Sequence, residues 1–325
     1  MPIRRRLSRA PLPTPAPDAF AIHRVRVRDE LEIAYLREGK GGYPLLLLHG
    51  WPETKRIWWR NVEPLARAGF EVVVPDLRGY GDSDVSGEDR HDVAEYSLDC
   101  DDLMRRVLGH RRYSIAGGDV GGIVAIDMAL REPAVVERLC FFNSATPFLF
   151  EAFAAAGLDP ASLPDDATAD YRSWQGSDPD ELAERLDTPD RRRRYVAAMY
   201  GHRLWATADA FTPAELDFMI EPFADAAHMR ASWAVYQLAS GKRIPREMPR
   251  LLETVPTPTL LLYGPEDHVI PSDFPERCEI AFTNRIGPVI IPDSGHFLQW
   301  ERADVFNALL ASCFRDLVVT WPKPS

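Results

Sequence analysis

The sequence lacks any run of about 18 apolar residues, the length that a membrane-spanning helix needs. We therefore expect no membrane span. Residues 1–20 also lack the apolar stretch of a secretory signal peptide and are instead rich in arginine and proline. This composition predicts a flexible N-terminal arm over residues 1–20.

Cysteine is scarce, and the four cysteines are spread along the chain without a CxxC pair. This spacing argues against a disulfide framework and against a thiolate metal site. Cys140 and Cys313 lie in apolar runs, where a buried free thiol is the usual state of a cysteine. The cysteine usage predicts a reducing, cytoplasmic location.

Positive charge is also in deficit. The 38 lysines and arginines are outnumbered by 49 acidic residues, which gives a formal net charge of −11. A chain with this balance is a poor partner for nucleic acid, so we expect none. The sequence leaves open whether the protein forms a homodimer.

Short apolar runs that end in turn residues recur along the chain, separated by amphipathic stretches of helical length. Two segments that alternate apolar and polar residues, 21–29 and 31–39, predict an antiparallel pair at a sheet edge. Six runs predict strands buried on both faces of a largely parallel sheet: 43–50, 70–76, 113–119, 136–144, 257–264 and 287–295. This alternation predicts an α/β fold with a mostly parallel sheet flanked by helices.

The alternation of strand and helix stops between residues 148 and 254. This region has helical patterns, many aromatic residues and no convincing strand. A structureless loop of that length is implausible in a compact domain, so we expect an inserted helical cap. The core is then formed by residues 21–147 and 255–325. Ligands of such sheets bind beyond the carboxyl ends of the strands, so the cap is expected to cover a pocket there.

Five motifs each follow directly after a predicted strand. They are HGWPE at 49–53, DLRGYGDSD at 76–84, AGGDVGG at 116–122, YGPEDHVIP at 263–271 and DSGHFLQWE at 293–301. Parallel strands end at the same edge of a sheet, so we expect these motifs to lie close together.

The motif AGGDVGG places an aspartate between glycines where a strand turns sharply into a helix. Such a turn strains the backbone of its central residue, Asp119, and leaves no room for side chains at Gly117 and Gly121. The turn would present Asp119 at the N-terminus of a helix, whose dipole favours negative charge. A carboxylate is a competent nucleophile toward carbon and needs no base to deprotonate it near neutral pH.

Two further residues complete a catalytic triad in the chain order nucleophile, acid, histidine. Asp267 lies 148 residues after Asp119, and His296 follows 29 residues later. His296 can act as a general base if a carboxylate holds its tautomer and stabilises the imidazolium. Asp267, at the end of the preceding strand, is the expected partner.

The chain resembles the α/β-hydrolase fold family over about residues 22–318. HGWPE is similar to the oxyanion loop of that family, DLRGYGDSD to its DxRGxGxS turn, and SGHFLQWE to its histidine loop. The aspartate nucleophile, HGWPE and a cap that carries tyrosines make the chain most similar to the epoxide hydrolases of this family.

The resemblance implies a two-step mechanism that requires no metal or organic cofactor. Asp119 would attack an epoxide carbon to form an ester, and His296, assisted by Asp267, would activate the water that hydrolyses it. The backbone N–H groups of Trp51 and Val120 would hold the oxyanion. The substrates are a small apolar or aryl epoxide and water, and the product is a vicinal diol.

Two cap tyrosines are implied as hydrogen-bond donors to the epoxide oxygen. The segment around Tyr236, SWAVYQLASGKRIP, resembles the cap motif of the family, in which a polar residue follows the tyrosine. Tyr171, in DYRSWQG, matches the region that usually supplies the first tyrosine. Tyr200 is the reserve candidate.

Two other functions stay open. Haloalkane and haloacid dehalogenases also use an aspartate nucleophile, but the resemblance implies a halide-holding tryptophan at the position of Val120 and an asparagine or similar donor at that of Trp51. Fluoroacetate dehalogenases place arginines just after the aspartate, and this chain has none there. The other alternative is a ligand-binding member of the fold that has no catalytic activity.

Overall fold

The computed structural model describes residues 12–87, 90–159, 166–202 and 205–322 of the 325-residue chain. Its eight strands are β1 (Ile22–Arg26), β2 (Glu32–Glu38), β3 (Tyr43–Leu48), β4 (Phe70–Pro75), β5 (Tyr113–Gly118), β6 (Val136–Phe142), β7 (Thr259–Tyr263) and β8 (Arg285–Ile290). They form one sheet in the order β1-β2-β4-β3-β5-β6-β7-β8.

The sheet is parallel from β4 to β8, and β1 and β2 add an antiparallel pair at one edge. The predicted fold class is confirmed, including the antiparallel pair. The register brings Leu48 of β3 opposite Gly117 of β5, so the HGWPE and AGGDVGG motifs leave the sheet side by side.

Most of the strands predicted to be buried on both faces are buried, but β8 is not. Every residue of β3, β4, β5 and β7 is buried, whereas Ile286 and Ile290 of β8 are 55% and 47% exposed. The prediction is wrong for β8 because this strand is the last in the sheet and pairs only with β7. An apolar run does not by itself distinguish a central strand from an edge strand.

Fourteen α-helices lie in the described residues. They are α1 (Trp59–Arg67), α2 (Val93–Asp102), α3 (Asp119–Arg131), α4 (Phe150–Ala155), α5 (Asp166–Gly176), α6 (Pro179–Arg185), α7 (Pro189–Ala197), α8 (Pro213–Ile220), α9 (Ala226–Ala231), α10 (Ala234–Ala239), α11 (Phe274–Ala281), α12 (Leu298–Glu301), α13 (Ala303–Cys313) and α14 (Arg315–Thr320). Shorter 3₁₀ turns span Arg28–Glu30, Lys55–Trp58 and Glu221–Ala224, and π turns span Leu103–Val107 and Ala198–His202. Among the helices of the described residues, none combines the length and apolar character that a membrane crossing requires.

Helices α4 to α10 fill the chain between β6 and β7, and the described part of residues 148–254 holds no strand. The turns between these helices contact the loops that follow β3 and β4. The Tyr200 hydroxyl donates to the backbone oxygen of Pro52 at 2.7 Å, and the Tyr80 hydroxyl donates to that of Ser232 at 3.1 Å. The helices therefore cover the carboxyl edge of the sheet.

Residues 1–11 of the predicted flexible arm lie outside the described residues, but the rest of the arm contacts the fold. Thr14 accepts a hydrogen bond from Arg60 at 2.9 Å, and the backbone oxygen of Ala16 accepts one from the Trp59 indole at 3.1 Å. The Phe20 ring packs edge-on against Trp59 at 5.0 Å. Residues 14–20 are therefore packed along α1.

Candidate active site

Asp119 occupies a strained turn between β5 and α3. Its φ angle is +47°, in the left-handed region that a residue with a side chain rarely adopts. A Cβ at Gly117 would lie 2.4 Å from the backbone oxygen of Gly121, and one at Gly121 would lie 2.4 Å from that of Leu48. Glycine is therefore required on both sides of Asp119, as the sequence predicts.

The Asp119 carboxylate is held by backbone donors. The Trp51 N–H donates to Oδ1 at 2.7 Å, and the Val120 N–H also donates to this carboxylate. The Asp119 side chain is only 14% exposed. Burial alone would raise its pKa, but His296 and the two N–H groups outweigh burial and lower the pKa below its usual value. Asp119 is thus ionised near neutral pH, which is the form that a carboxylate needs to act as a nucleophile.

His296 lies between two carboxylates. Its Nδ1 is 2.9 Å from Oδ2 of Asp267, and its Nε2 is 3.5 Å from Oδ2 of Asp119. The other oxygen of Asp267 accepts hydrogen bonds from the N–H groups of Val269 and Ile270 at 2.6 and 3.1 Å. Burial alone would lower the pKa of His296, but the charge of Asp267 and the contact with Asp119 raise it well above the usual value.

Asn143, at the end of β6, ties the three loops of this site together. Its backbone oxygen accepts from the Asp119 N–H at 2.9 Å, and its side-chain oxygen accepts from the Gly264 N–H at 2.9 Å. Its amide nitrogen donates to the backbone oxygen of Gly295 at 2.7 Å. One buried asparagine, through its backbone oxygen and its side-chain amide, therefore fixes the positions of the loops that carry Asp119, Asp267 and His296.

Tyr171 and Tyr236 come together above Trp51. They lie on α5 and α10, which contact each other where the Ser240 hydroxyl donates to the Gly176 backbone oxygen at 2.8 Å. The Tyr171 ring stacks on Trp51 at 5.3 Å, and the Tyr236 ring meets Trp51 edge-on at 5.8 Å. The two tyrosine rings are 5.6 Å apart.

The negative charge of Asp119 affects the pKa of both phenols. Burial raises the pKa of Tyr171 to about 12 and that of Tyr236 well above its usual value, and the nearby Asp119 carboxylate raises both further. Both hydroxyls are therefore protonated donors near Asp119. Tyr200, the reserve candidate, is placed differently, because its hydroxyl already donates to Pro52.

Three buried residues beside the triad were not predicted from the sequence. Glu53 accepts hydrogen bonds from the Gly50 N–H at 2.6 Å and from the Gln299 amide at 2.9 Å, and burial raises its pKa to about 7. Trp205 packs edge-on against His296 at 5.3 Å, and its backbone oxygen accepts from the His296 N–H at 2.7 Å. Glu53 and Gln299 lie inside the motifs HGWPE and DSGHFLQWE, so a signal for them was present.

Two polar contacts were also missed, and no local pattern pointed to them. Arg172 donates through Nε to the Tyr171 hydroxyl at 3.0 Å, and the Trp51 indole N–H donates to Ser232 Oγ at 3.1 Å. No group of three or more histidine, cysteine or acidic side chains within the described ranges is arranged to hold a metal ion.

The arrangement combines an ionised carboxylate, two N–H donors on that carboxylate, a histidine oriented by a second carboxylate, and two phenols. Such a set can attack an electrophilic carbon, protonate the oxygen that leaves it, and hydrolyse the resulting ester with a water activated by the histidine.

The chain is similar in sequence to two proteins that are named as epoxide hydrolases. It is 28% identical to epoxide hydrolase 4 of Mus musculus over 296 residues, which cover 88% of this chain and 77% of that protein. It is 41% identical to the soluble epoxide hydrolase of Corynebacterium sp. (strain C12) over 122 residues, 36% of this chain and 40% of that protein.

The solved structure of epoxide hydrolase CorEH superposes with a TM-score of 0.77 at 21% identity, covering 92% of this chain and 99% of that one. At this identity the likeness shows a shared fold alone. Residues 43–303 match the alpha/beta hydrolase fold family, and this match spans most of the chain. The chain therefore belongs to the alpha/beta hydrolase fold family.

Proposed function

We propose that this protein is an epoxide hydrolase that opens an epoxide to a vicinal diol through an ester on Asp119. The observation that carries the proposal is the position of the Asp119 carboxylate. It lies within 3.5 Å of the His296 imidazole, accepts a hydrogen bond from the Trp51 N–H, and sits near the phenols of Tyr171 and Tyr236. The similarity to proteins named epoxide hydrolases supports the same reaction.

In the first step Asp119 attacks an epoxide carbon, and the carbon–oxygen bond breaks. The electron pair goes to the epoxide oxygen, which takes a proton from Tyr171 or Tyr236. In the second step His296 removes a proton from a water that attacks the ester carbonyl, and Asp267 stabilises the imidazolium. The N–H groups of Trp51 and Val120 then hold the oxyanion that forms on the former Asp119 carboxylate.

The core and the cap have different roles in the proposed reaction. Residues 21–147 and 255–325 form the catalytic core, and the cap, residues 148–254, supplies the two tyrosines. The substrates are a small apolar or aryl epoxide and water, with no nucleic acid as partner. A cytoplasmic location and a role in detoxification agree with the cysteine usage and with a reaction that consumes reactive electrophiles.

Activity against a panel of terminal, aryl and fatty-acid epoxides, assayed with the wild type and Asp119→Ala, tests this function. We expect diol formation by the wild type and none above background by Asp119→Ala. The control for folding is the thermal unfolding midpoint of both proteins. Activity retained by Asp119→Ala contradicts the assigned nucleophile, and inactivity of a folded wild type toward every epoxide favours the non-catalytic binding protein.

A single turnover in heavy-oxygen water tests the ester directly. Water attacks the carbonyl carbon of the ester, so its oxygen stays on the carboxylate, while the diol takes an oxygen from Asp119. Mass spectrometry of the peptide that contains Asp119 is expected to show the label. An active enzyme with an unlabelled Asp119 would mean that water attacks the epoxide directly.

A further inference from the structure

Arg172 makes an unusual contact with the residue that precedes it. Its Nε donates to the Tyr171 hydroxyl at 3.0 Å, and its guanidinium carbon is 5.5 Å from the centre of the Tyr171 ring. Neighbouring residues on a helix point about 100° apart, so this contact requires the long arginine side chain to fold back along α5. The guanidinium is therefore held beside a phenol of the site.

A second hydrogen bond fixes the other end of the guanidinium. Arg172 Nη2 donates to the backbone oxygen of Val269 at 3.1 Å, and the Val269 N–H donates to Asp267 Oδ1 at 2.6 Å. Arg172 thus connects the cap tyrosine to the loop that carries the acid of the triad. With two anchor points, the guanidinium has little freedom to leave the Tyr171 hydroxyl.

We propose that Arg172 is a positioning residue for Tyr171, which orients the hydroxyl and stabilises the negative charge that forms when the proton is given to the epoxide oxygen. The inference rests on the proposed function and adds a residue to it. An arginine only donates hydrogen bonds, whereas a tyrosine hydroxyl has one proton and two acceptor lone pairs. Arg172 occupies a lone pair, so the Tyr171 proton is left for the substrate.

Besides orienting the Tyr171 hydroxyl, Arg172 affects its acidity through its positive charge. Burial raises the pKa of Tyr171 to about 12, and the Arg172 charge and its hydrogen bond oppose this rise. A phenol buried beside the Asp119 carboxylate without a cation would be a weaker acid. Arg172 thus makes Tyr171 a more effective donor in this environment, and a hydrogen bond with Tyr236 lowers the Tyr171 pKa in the same direction.

The proton balance closes over one turnover. Tyr171 gives its proton to the epoxide oxygen as the carbon–oxygen bond breaks, and the tyrosinate is paired with the Arg172 guanidinium. His296 takes a proton from the water that hydrolyses the ester. His296 gives that proton to the diol oxygen as its bond to the Asp119 carbonyl carbon breaks, which leaves Asp119 as a carboxylic acid. This acid releases the second proton of the water, which reaches the tyrosinate through solvent. Tyr171 thus ends neutral, Asp119 ends as a carboxylate, and the net reaction adds one water to the epoxide.

Single-turnover kinetics of Arg172→Gln, Arg172→Lys, Tyr171→Phe and the double variant Tyr171→Phe/Arg172→Gln test the proposal. Tryptophan fluorescence follows the site, because Trp51 and Trp205 both lie against Tyr171. We expect Arg172→Gln to slow ester formation about 10-fold, which corresponds to about 1.4 kcal/mol in the barrier. Ester hydrolysis should change less than about 2-fold, since Tyr171 acts only in the first step, and Arg172→Lys should recover part of the loss.

The double variant separates positioning from a general structural role. If Arg172 acts through Tyr171, the arginine substitution has no further effect once the hydroxyl is gone. Additive losses, or equal slowing of both steps, overturn the proposal. Arg185→Gln is the matched control, because this cap arginine lies over Trp174 on the cap surface and is expected to leave both rates unchanged.

A titration of Tyr171 that needs no epoxide tests the role of Arg172 independently of the proposed function. The tyrosinate absorbance of the wild type minus that of Tyr171→Phe reports the ionisation of Tyr171 at alkaline pH. In the Arg172→Gln background the onset of this difference is expected at higher pH, and an unchanged onset overturns the inference. Inactivity of the wild type toward epoxides, by contrast, overturns the proposed function alone.

Discussion

The indole N–H of Trp51 donates to Ser232 Oγ at 3.1 Å, and Ser232 Oγ in turn donates to the backbone oxygen of Met229 at 2.7 Å. This contact bears on the dehalogenase alternative, because a departing halide needs N–H donors in a dry pocket. The Trp51 indole N–H already donates to Ser232, and the Val120 side chain has no hydrogen-bond donor. The two halide donors that the resemblance would require at these positions are therefore missing.

From this we predict that the protein does not release halide from 1-haloalkanes at a significant rate. Loss of one preorganised donor costs about 10²–10³ in rate, so turnover is expected to be at least about 100-fold below that of an epoxide of similar size. Ion chromatography of released chloride or bromide measures it, with the epoxide assayed on the same preparation. Halide release at a rate comparable to epoxide opening would restore dehalogenation as the function.

A second prediction concerns His296→Gln. Asp119 needs no base to attack, whereas hydrolysis of its ester requires His296, so the variant should form the ester and fail to turn over. General base catalysis contributes about 10²–10⁴-fold, which sets the expected loss in the rate of ester hydrolysis. Intact-protein mass spectrometry should show the mass of the epoxide added to the variant.

The control for this trapping experiment is His23→Gln, since His23 is exposed on the edge strand β1, away from the site. It should turn over normally and accumulate no adduct. Adduct on a residue other than Asp119, or full turnover by His296→Gln, would contradict the assigned roles.

The third prediction follows from the change in charge at Asp119 during the reaction. In the free enzyme Asp267 and Asp119 together raise the pKa of His296 well above its usual value. In the ester Asp119 carries no charge, so its part of this effect disappears and the pKa of His296 falls. The base must be neutral to act, so the fall allows hydrolysis at a lower pH than the free enzyme would permit.

Asp119→Asn mimics the neutral ester and makes this testable without substrate. Nitrogen NMR of the His296 ring is expected to give a lower pKa in Asp119→Asn than in the wild type. Where ester hydrolysis limits the rate, the acid limb of kcat should likewise lie below the pKa of His296 in the free enzyme. Identical His296 titrations in the two proteins would show that Asp119 does not control this histidine.

The sequence predicts the fold well because the information is local. Six apolar runs with their turn residues and two segments that alternate apolar and polar residues mark the eight strands of the sheet. The position of each motif after a strand places the motifs at one edge of the sheet. The exposure of β8 was missed because it depends on sheet order. Strand order is set by contacts between distant segments, which no single run of residues records.

The same contrast between local patterns and distant contacts applies to the candidate active site. Asp119, Asp267 and His296 stand in motifs, and the structure brings them together. The contact of Trp51 with Ser232 joins residues 181 positions apart, and the contact of Arg172 with Tyr171 depends on a side-chain rotamer. Contacts between distant residues and side-chain rotamers leave no pattern in the sequence. The Trp51–Ser232 and Arg172–Tyr171 contacts are therefore seen only in the folded chain.

The last prediction concerns the space beside the nucleophile. A Cβ at Gly121 would lie 2.4 Å from the backbone oxygen of Leu48 and 2.7 Å from that of His49, so Gly121→Ala forces β3 and α3 apart. Overpacking of this kind typically costs about 1–3 kcal/mol, and here it also displaces the loop that carries the Trp51 N–H. We expect a lower midpoint in urea unfolding together with a loss of ester formation that exceeds the loss of stability.

Gly201→Ala is the matched control. A Cβ there meets no atom within 4 Å, and its φ lies outside the range that favours glycine. This variant should keep both the unfolding midpoint and the rate of ester formation. If Gly121→Ala behaves like Gly201→Ala, then β3 and α3 can separate without cost, and the close approach of the two elements is not what holds Asp119 against the N–H groups of Trp51 and Val120.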